Sequence, residues 1–216
     1  MELISGFFQV LVHLDQHLLR VTQEYGPWVY LLLFLIVFCE TGLVVAPFLP
    51  GDSLLFVAGT VSGAGAMNVH VLALVLTLAA VAGDSLNYAI GWWIGPRIFR
   101  RADSWFLKQA YLERTHRFFE RFGGRTIVIA RFVPIVRTYA PFVAGVGQMS
   151  YRRFAAFNVS GALLWVGVIL YAGYVFGNVP VVKNNLSAVI LGIILLSMSP
   201  GIVELVRHRL ASRRGA

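Results

Sequence analysis

Apolar positions fill this 216-residue chain in long blocks, and polar residues, proline and glycine mark where each block stops or breaks. Leu3, Ile4, Phe7, Phe8, Leu11, Leu14, Leu18 and Leu19 recur at helical spacing, which predicts an amphipathic helix over 2–23, lying in the membrane interface or against a bundle. After Gly26-Pro27, the run 28–38 is aromatic and then aliphatic, and ends at Glu40. Three longer apolar blocks, 69–96, 154–176 and 186–206, have the length of membrane crossings. The first closes with Trp92-Trp93 and a Gly91-x-x-x-Gly95 motif, the second with Gly173-x-x-x-Gly177; both motifs predict close helix packing.

Two further apolar stretches are too interrupted to cross. In 41–66 the pattern breaks at Pro47 and at Pro50-Gly51, and in 126–149 at Pro134 and Pro141. Each proline removes a backbone donor, so a helix there must bend or stop, and lipid cannot satisfy the freed carbonyls. Such arms are expected to be re-entrant, buried in protein or lining a wet cavity. Each is followed by a crossing that ends in Gly-x-x-x-Gly, and the two crossings run in opposite directions. The expected fold is therefore an all-α polytopic membrane protein, an inverted repeat with two opposed re-entrant hairpins plus transmembrane helices. Its parts are an N-terminal helix (1–25), a membrane domain (26–178), a C-terminal crossing (179–206) and a basic tail (207–216).

Composition agrees with a membrane setting. The chain is 58% hydrophobic and 13% charged, with a mean hydropathy of +0.74. The net charge of +8 would suggest nucleic acid in a soluble protein, but the basic residues gather at the ends of apolar blocks, especially in the loop 97–125 and in the tail. That is the positive-inside pattern; it places loop and tail in the cytoplasm and argues against a nucleic-acid partner. Within the loop, Glu113, Arg117, Glu120 and Arg121 lie three to four apart and predict a surface helix. No basic n-region precedes Arg20, so no signal peptide is expected. The single cysteine, Cys39, reads as a small buried hydrophobe. His13 and His17 stand four apart without a third ligand nearby, so no metal site is expected, and no motif calls for a cofactor.

The charges inside the apolar arms carry the functional signal. A charge near the bilayer centre costs about 3 kcal/mol on insertion scales, so such residues are paired or functional. One arm brings Glu40 and Asp52, the other Arg131 and Arg137, and opposed arms would bring their tips together. The arginine forks suit a lipid phosphate. On Glu40, burial and a neighbouring arginine act in opposite senses, which leaves proton exchange near neutral pH open to it. Asp52, after Pro50-Gly51, is equally a helix N-cap and a proton site, and the roles can coexist. Asp84, Asn87 and Tyr88 share a helix face and read as interhelical hydrogen bonds or as support behind the site, and Pro134 sets the bend between the arginines, with Thr138 beside Arg137.

The run HRFFERFGGRTIVIARFVPIVRTYAPFVAG over 116–145, with PFLPGDSLL after Glu40 and GDSLNYAIGWWIG over 83–95, resembles the DedA family, also called SNARE-associated or VTT-domain membrane proteins. The resemblance covers about 26–178, and its R-F-V-P-x-x-R-T core is specific. It implies two opposed re-entrant hairpins in the bacterial inner membrane and transport of lipids, with undecaprenyl phosphate and phosphatidylethanolamine among the substrates. It further implies dependence on the proton-motive force, Glu40 and Asp52 as functional acids, and Arg131 and Arg137 as functional arginines. Trp92 follows Gly91 where members often carry a basic residue. The expected partners are membrane lipids and protons, with a homo-oligomer left open. A structural membrane scaffold is the alternative; a lipid-modifying enzyme is less favoured, because the chain has no P-loop, no His-Glu-x-x-His and no Gly-x-Ser-x-Gly, and the interrupted arms hold no histidine.

Overall fold

The computed structural model describes residues 14–42, 51–98, 122–185 and 188–193, and all regular structure among them is helical. Helix α1 (Leu14–Tyr25) closes at Gly26, whose N–H donates to the Thr22 carbonyl and whose positive φ turns the chain out of the helix. It buries Leu18 and Thr22 against the bundle, which settles the disposition of the described part of the N-terminal helix. Helix α2 (Trp28–Gly42) does not end at Glu40 but runs one half-turn past it. Val29, Leu33, Val37 and Thr41 recur every fourth residue and form its buried stripe, while Leu31, Leu32 and Leu35 face outward as a lipid-facing helix requires.

Helix α3 (Gly51–Gly63) and helix α4 (Val69–Ile98) divide the work of burial and crossing. In α3 every residue from Ser53 to Ser62 is buried, the pattern of a helix enclosed by protein on all sides. At 13 residues it is about 20 Å long, short of the ~30 Å hydrocarbon layer. Residues Val69–Ile94 of α4 are long and apolar enough to cross a membrane, and so is α7 (Tyr151–Phe176). Between them, a 3₁₀ turn (Gly123–Arg125) and α5 (Thr126–Ala130) lead into a tight turn at 131–133. Helix α6 (Pro134–Val146) follows, with Pro134 in its first turn, where the missing donor costs nothing. Of the two outcomes open at Pro141, a bend or a stop, the helix does not stop: it continues to Val146 with the proline inside it. Helix α8 (Pro180–Lys183) and a helical segment at 188–193 complete the described chain. The surface helix expected at 113–121, most of the basic loop, Pro47, Pro50, residues 194–206 of the expected last crossing and the basic tail lie outside the described residues.

Two seams hold the long and short helices together, α3 on α7 and α4 on α6. In the first, Gly59 lies against the Leu170 carbonyl and Gly173 against the Phe56 carbonyl. In the second, Gly145 lies against the Tyr88 carbonyl and Gly91 against the Phe142 carbonyl. Each seam thus pairs a phenylalanine carbonyl and a glycine one helical turn apart on the short helix with the same spacing on the long one. Thr60 Oγ1 donates across the first seam to the Gly173 carbonyl at 3.3 Å and occupies the space a side chain at Gly177 would need. The Gly-x-x-x-Gly motif over 173–177 therefore serves packing, through van der Waals contact and close backbone approach.

Gly173→Leu should prevent closure of the first seam, because its Cβ alone would overlap the Phe56 backbone; overpacking of this kind costs about 1–3 kcal/mol. Gly167 has open space around it, so Gly167→Ala should be neutral or stabilising by up to about 1 kcal/mol. Thermal melts of the two variants in detergent check both outcomes.

Candidate functional site

Arg137, near the start of α6, reaches into the space between α2 and α3. Its Nη2 donates to Glu40 Oε1 at 2.9 Å and its Nη1 to Asp52 Oδ1 at 3.1 Å. Glu40 gets there because α2 runs past it. Its carboxylate lies against Gly51, the first residue of α3, in a place that any Cβ at position 51 would fill. Asp52 lies inside the first turn of α3, where a negative charge is favoured by the helix dipole. Trp165 of α7 completes the cluster: its Nε1 donates to Asp52 Oδ1 at 2.9 Å, and the Arg137 guanidinium stacks over its ring at 4.2 Å.

Arg131 does not join the two acids, contrary to the expected meeting of all four charges. It sits at the turn between α5 and α6 and donates through Nη2 to Asp84 Oδ2 at 2.5 Å and to Asn158 Oδ1 at 2.6 Å. Asn158 in turn donates to the Val81 carbonyl at 3.1 Å, which ties α7, α4 and the turn together. Asp84 is thus a direct counter-ion rather than a packing residue. Asn87, one turn further along α4, donates to the Thr138 carbonyl at 2.9 Å and more weakly to the Thr41 carbonyl at 3.4 Å, stitching α4 to α6 and α2. Tyr88 points away from both arginines; it stacks on Phe154 and donates to the Met149 carbonyl. Pro50 lies outside the described residues.

The two clusters differ in access. Arg131 and Asp84 are 3% and 6% exposed, whereas Arg137 and Asp52 are 13% and 22% exposed, so the second pair is the more accessible. Trp165 bridges the clusters, with Arg131 also 5.9 Å from its ring. Asn158 and Trp165 were not singled out from the sequence. The available signals were an asparagine buried in an apolar crossing and a tryptophan placed mid-helix, away from the interfaces where tryptophan normally collects. Among the described residues, no group of three or more metal-ligating side chains occurs.

The VTT-domain family profile matches residues 49–175, which include Asp52, Asp84, Arg131, Arg137, Asn158 and Trp165. Over its full length the chain is 53% identical to Protein DedA of Escherichia coli K12, with all of both chains covered. The chain belongs to the VTT-domain DedA family. It is also 44% identical to an uncharacterized membrane protein of Mycobacterium tuberculosis, over 84% of this chain and 80% of that one. The inner membrane protein YqjA of Escherichia coli K12 is 38% identical, over 84% of this chain and 82% of its own. No solved structure matches the chain. The VTT match begins after Glu40, so that acid reaches Arg137 from a helix ahead of the matched segment. With these relatives and two apolar helices of spanning length, the chain is a membrane protein.

Removing one partner of a buried ion pair leaves a charge with no compensation, at a cost of about 3–5 kcal/mol. Asp84→Leu alone should show a loss of that order, and Asp84→Leu combined with Arg131→Met should recover most of it. A double-mutant cycle on thermal stability in detergent tests this; additive losses would mean that the pair does not couple.

Proposed function

We propose that this protein carries a phosphate-bearing lipid across the bacterial inner membrane, with protons as the coupling ion. The lipid is undecaprenyl phosphate or a phospholipid such as phosphatidylethanolamine, which share the phosphate that an arginine fork recognises. The observation that carries the reading is the double pairing of Arg137 with Glu40 and Asp52, on two helices, in the more accessible of the two charge clusters. Two carboxylates on one guanidinium form an arrangement that protonation can loosen. A lipid phosphate then takes their place on Arg137 while its tails stay in the bilayer. Re-ionisation of the acids expels it.

The alternation this needs is supplied by an inverted repeat, in which α3 and α6 are the buried arms of two re-entrant hairpins entering from opposite faces. The matched glycine seams and the short length of both helices support that reading. Rocking of one repeat on the other would turn the site from one face to the other. The central loop and the tail are then cytoplasmic. On this reading the protein is a carrier and not an enzyme, and it needs no cofactor, metal or nucleic acid. One observation favours a second reading, a structural scaffold: both arginines already have counter-ions, as salt bridges that only fix a fold would.

Proteoliposomes separate the two. Wild type should expose labelled undecaprenyl phosphate or phosphatidylethanolamine to the outer leaflet faster than empty vesicles, and faster still with a pH gradient. Arg137→Ala should lose that rate by at least about tenfold, and Glu40→Gln should lose the response to the gradient, with both variants still folded. No movement of either lipid by folded wild type, or loss of abundance in step with activity in the variants, would favour the scaffold.

A further inference from the structure

Arg137 is held by more than its carboxylates. Trp165 is fully buried on α7 and touches both halves of the ion pair: its ring lies under the guanidinium, and its N–H donates to the Asp52 oxygen that Arg137 Nη1 also approaches. A tryptophan face attracts a cation without neutralising it, and does so more strongly when the pair is out of water. The indole cannot be protonated, and it cannot follow a lipid phosphate. It is therefore the contact that stays in place when the carboxylates and the ligand exchange.

We propose that Trp165 is the positioning residue of this site, holding the Arg137 guanidinium flat and facing the ligand while Glu40 and Asp52 release it, so that a phosphate ester meets a preformed fork. The inference rests on the transport reading above. Without the ring, a released arginine side chain with several free torsions would collapse toward Asp84, 6% exposed and already the partner of Arg131, or toward any water that enters. With it, the cation keeps one orientation in both states. The Nε1–H bond gives Asp52 a fixed place to return to. The same ring lies 5.9 Å from Arg131, so a motion of α7 against the turn at 131–133 would be felt by both cations.

Two measurements test this, and only one depends on transport. In purified protein carrying Glu40→Gln and Asp52→Asn, NMR of the arginine side chains should still show a slowly exchanging Arg137 Nε–H. Adding Trp165→Leu should abolish it. Equal loss of that signal with Trp165 present would overturn the proposal. In proteoliposomes, using whichever of the polyprenyl phosphate and phosphatidylethanolamine analogues the wild type moves, Trp165→Leu should raise the apparent KM about tenfold, with kcat changed less. Trp165→Phe keeps a weaker ring face and loses the N–H, and should raise KM by a smaller factor; it also stands in if the leucine variant does not fold. An unchanged KM in a folded variant, with only kcat lowered, would also overturn the positioning role. If wild type moves neither lipid, the transport reading fails, while the NMR comparison still decides whether Trp165 holds the arginine.

Discussion

A guanidinium cannot stand alone in a low-dielectric interior, and this fold is arranged around satisfying two of them. Arg131 and Arg137 come from one short stretch, on either side of the turn that precedes Pro134. Their partners come from everywhere else: Glu40 from α2, Asp52 from α3, Asp84 from α4, and Asn158 and Trp165 from α7. Each of these helices is thereby tied to the turn or to the start of α6. The glycine seams permit it, since backbones that meet at Gly59, Gly91, Gly145 and Gly173 bring the polar groups within reach.

The two arginines are held differently, and the difference has chemical meaning. Arg131 is deeply buried with one carboxylate and one amide, and that amide donates in turn to the Val81 carbonyl of α4. Such a pair resists rearrangement, because every separated state leaves a charge unpaired in the interior. Arg137 has two carboxylates, an aromatic face and more exposure. One carboxylate can leave while the other and the ring still hold the cation. On the proposed transport reading, that redundancy lets the site bind, release and reset.

Much of this was legible in the sequence. Hydrophobic block lengths gave the two crossings at α4 and α7, prolines marked the interrupted arms, and intramembrane charges named Glu40, Asp52, Arg131 and Arg137. Pairing was not legible, because it depends on where the turn at 131–133 aims each arginine. Arg137 stands six positions after Arg131, and the turn between them sends one toward α4 and the other toward α2 and α3. Asp84 was visible as a polar residue but not as a counter-ion for the same reason. At Pro141 the sequence leaves a bend or a stop open, and the structure decides against the stop, since proline inside an enclosed helix is tolerated where neighbouring backbone and side chains surround it. Trp165 was visible as a tryptophan in the middle of a crossing, but its part in the Arg137 cluster depends on the same aim of the arginine.

The central claim is that lipid phosphate and the carboxylates of Glu40 and Asp52 compete for Arg137. Calorimetry of lipid-phosphate binding in buffers of different ionisation enthalpy reports the protons exchanged on binding. Competition predicts net proton uptake by wild type at neutral pH, and none by the Glu40→Gln, Asp52→Asn double variant. Tight binding with no proton exchange in wild type, or the same exchange in both proteins, would contradict it.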